Sequence, residues 1–435
     1  MLSSALAKPA IVVAAVLLLA GCAGSPTAAP TTGAPSDEPA ADASTCVADP
    51  EAVIARTEPA VTTPMPDDVA MTIDQAAESG FAAAAAPGAI VAVQSPQGLF
   101  MKAYGIADPA TGAPMTTDMF QRVGSITKPF TGTVIMQLAA DGDISLDDPI
   151  SDYVSGVTNG DDITIRMLAD MTSGVSSYTR DDAWQATFFS EPEKVWAPDE
   201  LLAIGLALPP QEFAPGTGFD YSNTNTVLLG KVIEEVTGEP YQDVLQERVL
   251  TPLGLTDTWF PAGSADYPEP HAQGFTLQGN HATPEAPENA TDWNPSWGWT
   301  AGELISTAPD LLTYARAQGT GQGLLPADSQ IERLTSFPGS AGYGTPMLFG
   351  GQYVATALPM IHARGTGPQK RLSLELSRLS PMRKYSPLPT TIVSRLQTGS
   401  EQALANGSDA RRPLRITCPL RMAMRSPGIP TRRLM

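Results

Sequence analysis

Apolar positions follow two different patterns along the chain. Over residues 89–105 they form two short β-favouring runs around a Ser-Pro-Gln-Gly sequence, which predicts a hairpin. Over residues 125–140 and 226–236 they recur every three or four positions, which predicts helices. Gly142 and Gly238 follow these two segments and predict their C-terminal ends. The pattern therefore predicts a domain of mixed α and β structure.

The first apolar run of the chain fits neither of these patterns. Residues 10–20 are eleven consecutive apolar residues after Lys8, too short for a bilayer span and suited to a signal-peptide core. The run ends in Leu-Ala-Gly-Cys22, which resembles a bacterial lipobox, in which the cysteine is lipidated. We therefore predict a lipoprotein signal peptide over residues 1–21 and a lipid anchor on Cys22. The protein would then lie outside the cytoplasm, anchored to the bacterial cell membrane. An ordinary signal peptide with a chance cysteine is the alternative.

Composition separates two further segments from the body of the chain. Residues 22–66 are rich in Ala, Pro, Ser and Thr and contain no aromatic residue, which predicts a disordered tether. Residues 1–354 carry 12 basic and 43 acidic side chains, whereas residues 355–435 carry 14 basic and 3 acidic ones. Because one domain rarely changes its charge so abruptly, we interpret residues 67–354 as the folded domain and residues 355–435 as a basic tail.

The whole chain argues against two classes of partner. Its formal net charge of −20 argues against nucleic acid as the main partner. It has three Cys and three His, with no Cys-x-x-Cys and no His-Glu-x-x-His sequence, which argues against a structural zinc site. The chemistry must therefore be sought in other side chains.

Ser125 and Lys128 form a Ser-x-x-Lys sequence at the start of a predicted helix. Residues three apart lie on one face of a helix, so the lysine can reach the serine hydroxyl. A serine is a weak nucleophile until a base removes its proton, and an unprotonated lysine can be that base. Taken alone, the motif is equally compatible with a helix-capping serine and a solvated lysine.

A second polar motif precedes the helix predicted over residues 226–236. Tyr221-Ser222-Asn223 follows a turn-forming stretch rich in Pro and Gly. A tyrosine hydroxyl can relay a proton to a leaving group, and an asparagine amide can hold a substrate amide and orient a lysine. A buried structural tyrosine at a loop corner is the alternative for this motif alone.

Together the two motifs resemble the serine β-lactamase and penicillin-binding-protein superfamily, in the branch of class C β-lactamases and D-alanyl-D-alanine carboxypeptidases. Ser125 and Lys128 match its Ser-x-x-Lys box, and Tyr221 and Asn223 match the Tyr-x-Asn box of this branch. Met171 stands where the family more often has His. The resemblance runs from about Asp74 to about Gly344 and includes Arg122–Lys128, Ile163–Leu168, Thr172–Gly174 and Ala301–Thr307.

The resemblance implies both a fold and a reaction. The fold is α+β: an antiparallel sheet flanked by helices, with an all-helical region inserted between its first and last strands. In the implied reaction Ser125 attacks a carbonyl, Lys128 and Tyr221 transfer protons, and Asn223 positions the substrate. The backbone N–H of Ser125 contributes to the oxyanion hole. The implied substrate is a D-alanyl-D-alanine peptide, a β-lactam, or a related amide or ester, and no metal or organic cofactor is needed.

The family's third box, Lys-Thr-Gly or His-x-Gly near the C-terminus, is not found in that form. Arg364-Gly365-Thr366-Gly367 lies in the expected place but lacks the matching cation. One explanation is a shifted reading frame, since another register of these codons can encode Gly-His-Gly. The alternative is a divergent, disordered tail. Either way, we expect the C-terminal strands of the sheet to be missing or altered.

Other active-site chemistries find less support in the sequence. A histidine triad would need His near Ser125, and His271 is better interpreted as structural. No Gly-x-Ser-x-Gly sequence is present, which argues against an α/β-hydrolase. A carboxylesterase on the same scaffold, and a lipoprotein that binds peptidoglycan peptides or penicillins without turnover, both remain open.

Overall fold

The computed structural model describes residues 49–335, except 58, 85, 279–281, 284 and 285. The predicted signal peptide, the lipidation site Cys22, most of the tether, the tail and its Arg364–Gly367 sequence lie outside the described residues. In chain order, the α-helices are α1 Pro50–Ile54, α2 Asp67–Ala84, α3 Thr127–Asp141, α4 Ile165–Ala169, α5 Asp182–Ser190, α6 Pro198–Ala207, α7 Asn223–Thr237, α8 Tyr241–Leu245, α9 Thr251–Leu253, α10 Ala308–Thr320 and α11 Ala327–Leu334. The strands are β1 Gly88–Ser95, β2 Gly98–Asp108, β3 Ala113–Pro114, β4 Gln121–Arg122, β5 Phe275–Thr276, β6 Glu288–Asn289 and β7 Ile305–Ser306.

The predicted hairpin is confirmed. Strands β1 and β2 pair antiparallel, with Ala89 opposite Tyr104 and Ser95 opposite Gly98 across the turn. Strand β3 pairs with the far end of β2, which gives the order β1-β2-β3. Strands β4 and β7 form a separate antiparallel pair. The α+β class with an antiparallel sheet and flanking helices is therefore also confirmed.

The main core lies among the helices. Both α3 and α7 are buried along most of their length, as expected for helices with apolar residues on several faces. The predicted helix over residues 125–140 is a 3₁₀ turn, Gly124–Ile126, that continues into α3. The second predicted helix starts earlier than expected, at Asn223. Gly142 and Gly238 end the two helices in left-handed conformations, as predicted.

The folded part begins before the predicted boundary at residue 67. Residues 50–54, assigned to the tether, form α1, and Val53 packs with Leu334. Near the other end of that segment, the Leu99 N–H donates to the Thr63 carbonyl at 2.8 Å, and the Met65 N–H donates to the Leu99 carbonyl at 3.2 Å. The segment therefore packs against the domain through residues such as Val53. Composition alone does not predict such contacts.

The described helices were also compared with the dimensions of a lipid bilayer. Across residues 49–335 and their stated gaps, none of them combines the length and the apolar character needed to cross a membrane.

Candidate active site

Ser125 lies where a short strand turns into helix α3. Strand β4 pairs with β7, and the Val123 N–H donates to the Leu304 carbonyl at 3.0 Å, which fixes the chain just before the serine. Gly124 then adopts a φ of +53°, a conformation that favours glycine. Ser125 follows in the 3₁₀ turn and, in contrast to the fully buried Lys128, is only half-buried. Its N–H is at a helix start, where the first donors have no partner within the helix.

Lys128 is fully buried one turn into the same helical segment. Its Nζ lies 3.0 Å from Ser125 Oγ and donates to the Ala301 carbonyl at 2.7 Å. Burial away from water lowers the pKa of Lys128 well below its usual value, because desolvation disfavours the ammonium form. A neutral amine that donates one N–H to Ala301 keeps a lone pair available for the serine proton.

Tyr221 reaches the same serine oxygen from the other motif. Its hydroxyl donates to Ser125 Oγ at 2.9 Å, and its ring centre lies 4.9 Å from Lys128 Nζ. Desolvation raises the pKa of Tyr221 well above its ordinary value, although the contact with Ser125 opposes the shift. Tyr221 is therefore a neutral phenol that donates a proton to the serine oxygen, and Lys128 is the group able to accept one.

The predicted residues are thus brought together with one exception. Asn223 begins α7, where its N–H donates to Ser177 Oγ at 3.1 Å and its Nδ2 donates to Thr179 Oγ1 at 3.4 Å. From its place in the sequence motif, the asparagine amide could also orient the lysine. In the described structure the Ala301 carbonyl does so instead.

The segment 299–304 overlaps Ala301–Thr307, a stretch that resembles the family but to which no role in the site was assigned from its residues. Besides the contact of Ala301 with Lys128, the Thr300 carbonyl accepts a hydrogen bond from Thr131 Oγ1 at 2.8 Å. The Leu304 N–H donates to Thr127 Oγ1 at 3.1 Å. These contacts join the segment to the first turns of α3. The segment contributes backbone groups to all three contacts, so no side-chain pattern within it could have signalled them.

The loop that carries Tyr221 is held by residues 177–180, which we call the clamp segment. Arg180 Nη1 and Nη2 each donate to the Asp220 carboxylate at 2.7 Å, and Nη2 also donates to the Tyr221 carbonyl at 3.3 Å. The Tyr178 N–H donates to Thr224 Oγ1 at 3.0 Å. No motif in the sequence had indicated a role for the clamp segment.

The histidine and metal interpretations can also be compared with the structure. The ring of His271 stacks on Tyr267 with the ring centres 4.3 Å apart, and its Nδ1 lies 3.0 Å from the Pro268 carbonyl. These contacts agree with a structural role. Among residues 49–335, outside the gaps in that range, no three or more His, Cys, Asp or Glu side chains form a group that could hold a metal ion.

Comparison with known proteins finds a family model and several relatives that match this chain. The model of the family described as Beta-lactamase matches residues 73–355. Penicillin-binding protein 4 of Amycolatopsis lactamdurans is 30% identical over 244 residues, which cover 53% of this chain and 58% of that protein. Esterase EstB of Burkholderia gladioli is 32% identical over 173 residues, 37% of this chain and 44% of the esterase. The chain thus spans less than two thirds of either relative.

A solved structure is similar as well. The D-stereospecific amidohydrolase from a Streptomyces species superposes with a TM-score of 0.56 at 36% sequence identity. The match covers 62% of this chain and 77% of the amidohydrolase.

Proposed function

The chain belongs to the Beta-lactamase family, and from that premise we propose that it is a serine hydrolase that forms an acyl-enzyme on Ser125. The observation that carries the proposal is the convergence of two groups on one oxygen. Lys128 Nζ and the Tyr221 hydroxyl lie 3.0 and 2.9 Å from Ser125 Oγ. A nucleophile within hydrogen-bond reach of a base and a donor is the arrangement that covalent catalysis requires.

Acylation begins with a proton transfer from Ser125 Oγ to the neutral Lys128 amine. The serine oxygen then attacks the substrate carbonyl carbon, and the Ser125 N–H stabilises the negative charge that develops on the carbonyl oxygen. As the tetrahedral intermediate collapses, the carbon–leaving-group bond breaks. Tyr221 donates its proton to the leaving amine or alkoxide and is reprotonated from Lys128. Water then attacks the acyl-enzyme and releases the acid.

The substrate that we propose is a small amide at a D-amino acid, such as a D-alanyl-D-alanine peptide, or a β-lactam. Two relatives support this class: one is named a penicillin-binding protein, and the other a D-stereospecific amidohydrolase. Asn223 is proposed to hold the substrate amide, since its side chain is half-buried beside the loop of Tyr221.

An ester substrate is the second candidate. It is favoured by the match to Esterase EstB, which is 32% identical over 173 residues. The same three groups serve both reactions, because an alkoxide leaving group also needs a proton. Amides and esters should therefore react at the same site with the same residues, and only their rates should differ.

The test follows adducts and products of the full chain. A fluorescent penicillin, a p-nitrophenyl ester and a D-amino acid amide are each incubated with the protein and with Ser125→Ala. We expect an adduct on Ser125 in intact mass spectra, and its loss in the variant. Stable labelling without product indicates a penicillin-binding protein without turnover, and ester hydrolysis alone indicates an esterase. An adduct that persists in Ser125→Ala contradicts the proposal.

We also propose that the protein is lipid-anchored through Cys22 outside the cytoplasm. The supporting feature is the apolar run over residues 10–20 that leads directly to this cysteine. Cys22→Ser should abolish lipid labelling and shift the protein from the membrane fraction to the soluble fraction. Unchanged processing and membrane association would rule the anchor out.

A further inference from the structure

Arg180 lies at the end of the clamp segment, next to the loop that carries Tyr221. Its guanidinium forms a two-pronged pair with the Asp220 carboxylate, with both N–O distances at 2.7 Å. One of the same nitrogens also reaches the Tyr221 carbonyl at 3.3 Å. The pair is largely withdrawn from water, since the side chains of Arg180 and Asp220 are 29% and 18% exposed.

Tyr221 needs such support because it is not in a helix or strand. Residues 208–222 form turns and bends between α6 and α7. The hydroxyl of Tyr221 lies at the end of a long side chain, so a small rotation of its backbone moves the hydroxyl away from Ser125 Oγ. Three donors of one planar guanidinium fix two adjacent residues, Asp220 and Tyr221, and limit that rotation.

We propose that Arg180 is a positioning residue, which holds Asp220 and the Tyr221 carbonyl so that the Tyr221 hydroxyl stays on Ser125 Oγ. The inference rests on the proposed acyl-enzyme function, in which Tyr221 is the proton donor. Arg180 acts only through Tyr221 and makes no contact with the serine. Its effect on rate should therefore depend on the presence of the Tyr221 hydroxyl.

A simple ion pair that stabilises the fold would behave differently. It would lower the free energy of unfolding and change the acylation rate equally with and without that hydroxyl. Lysine offers a further distinction. Its single ammonium group keeps the charge but does not present the planar fork that contacts both residues.

The test is a double-mutant cycle on the full chain with a fluorescent penicillin and a D-amino acid amide as probes, because both leaving groups must be protonated. We expect Arg180→Ala to slow acylation of Ser125 about 10-fold, the scale of a modest misplacement of a catalytic group. Arg180→Lys should restore little of that loss. In the Tyr221→Phe background, Arg180→Ala should cause no further slowing.

Arg248→Ala is the matched control. The Arg248–Asp141 pair has the same 2.7 Å distance and the same 29% exposure of the arginine, but it lies at the far end of α3. This variant should acylate at the rate of the unmodified chain. Thermal unfolding of all variants shows which of them are folded.

The outcomes separate the two proposals. Equal slowing by Arg180→Ala in both backgrounds, or none in either, overturns the positioning role. If the unmodified chain forms no adduct, the proposed function fails and hydrogen exchange of peptide 214–224 decides the positioning role. Faster exchange in Arg180→Ala than in Arg248→Ala supports it, and equal exchange overturns it.

Discussion

The two halves of the site are held in place by different forces. Helix α3 carries Ser125's partner Lys128 among residues that are buried on every side, including Phe130, Val134 and Ile135. In the loop of Tyr221, Phe219 and Tyr221 pack against the core from outside. Its backbone is held by polar contacts with Arg180 and with the Met171 carbonyl, which accepts from the Asp220 N–H at 2.9 Å. The base is therefore fixed inside a closely packed helix, whereas the backbone that carries the donor is fixed by hydrogen bonds.

Burial nevertheless shifts the pKa of the functional group in both halves. It lowers the pKa of Lys128 and raises the pKa of Tyr221, because in each case the neutral form is easier to desolvate. Burial therefore favours the neutral form of both groups at the start of the reaction. Ser125 lies between them with a donor on one side and an acceptor on the other, so the direction of proton transfer is defined before substrate binds.

Removing the base should have the largest effect. Lys128→Met fills similar space without an amine, and we expect it to slow acylation by at least about 10²-fold, the low end for a general base. Lys231→Met, at a half-buried lysine paired with Glu234 on α7, is the control and should leave the rate unchanged. The measurement is the rate of adduct formation in intact mass spectra. An unchanged rate in Lys128→Met would remove the lysine from the mechanism.

Removing the donor should have a similar or smaller effect. Tyr221→Phe keeps the ring beside Lys128 and deletes only the hydroxyl on Ser125 Oγ. We expect slowing of about 10²-fold for amides, whose leaving group must be protonated. For an activated ester, whose leaving group needs no proton, the loss should be much less. Equal losses with both substrates would argue against the role of Tyr221 as the donor.

The sequence predicted the first half of the site better than the second. Ser125 and Lys128 are three residues apart, and one helical turn is enough to bring them together. Tyr221 could be included only by resemblance, since nothing local indicates that a loop 96 residues away reaches the same oxygen. The Ala301 carbonyl could not be predicted, because every residue carries one.

The fold shows the same division. The hairpin was predicted from its β-favouring runs and turn sequence, and the helices α3 and α7 from their periodicity, with boundary errors at their starts. The contacts of α1 with α11 and of the clamp segment with the Tyr221 loop join distant parts of the chain. Such contacts depend on tertiary packing, which no local pattern in the sequence contains.

The lowered pKa of the buried Lys128 should also make the free energy of unfolding depend on pH. Because the pKa of Lys128 is lower in the folded than in the unfolded chain, the unfolded chain binds more protons between the two pKa values. Stability therefore rises with pH in that window and is lost as the pH falls. Relative to Lys128→Met, the chain should gain up to about 1.4 kcal/mol per pH unit toward the unfolded value near 10.4. Urea unfolding at several pH values measures this difference. If the stability of the chain relative to Lys128→Met instead falls as the pH rises, the sign is reversed and the lowered pKa of Lys128 is contradicted.

The smallest effects are expected from substitutions of two glycines, one just before and one just after the nucleophile helix α3. Gly124 before the nucleophile and Gly142 after α3 both have positive φ, +53° and +83°. An added Cβ would meet nothing within 4 Å at either position, so alanine brings conformational strain without a clash. Gly124→Ala and Gly142→Ala should each lower the free energy of unfolding by about 1–2 kcal/mol.

The two variants should differ in the acylation of Ser125. Strain at Gly124 can relax by rotating the adjacent serine off Lys128 and Tyr221, so Gly124→Ala should slow acylation about 10-fold. Strain at Gly142 relaxes at the other end of a 15-residue helix whose buried sides hold it in place, so its rate should not change. Urea unfolding and adduct formation are measured on both proteins. If both rates fall, strain at the C-terminal end of α3 affects Ser125 despite the packing of the helix. If neither falls, Ser125 is held by α3 itself, and the conformation of Gly124 has no part in placing it.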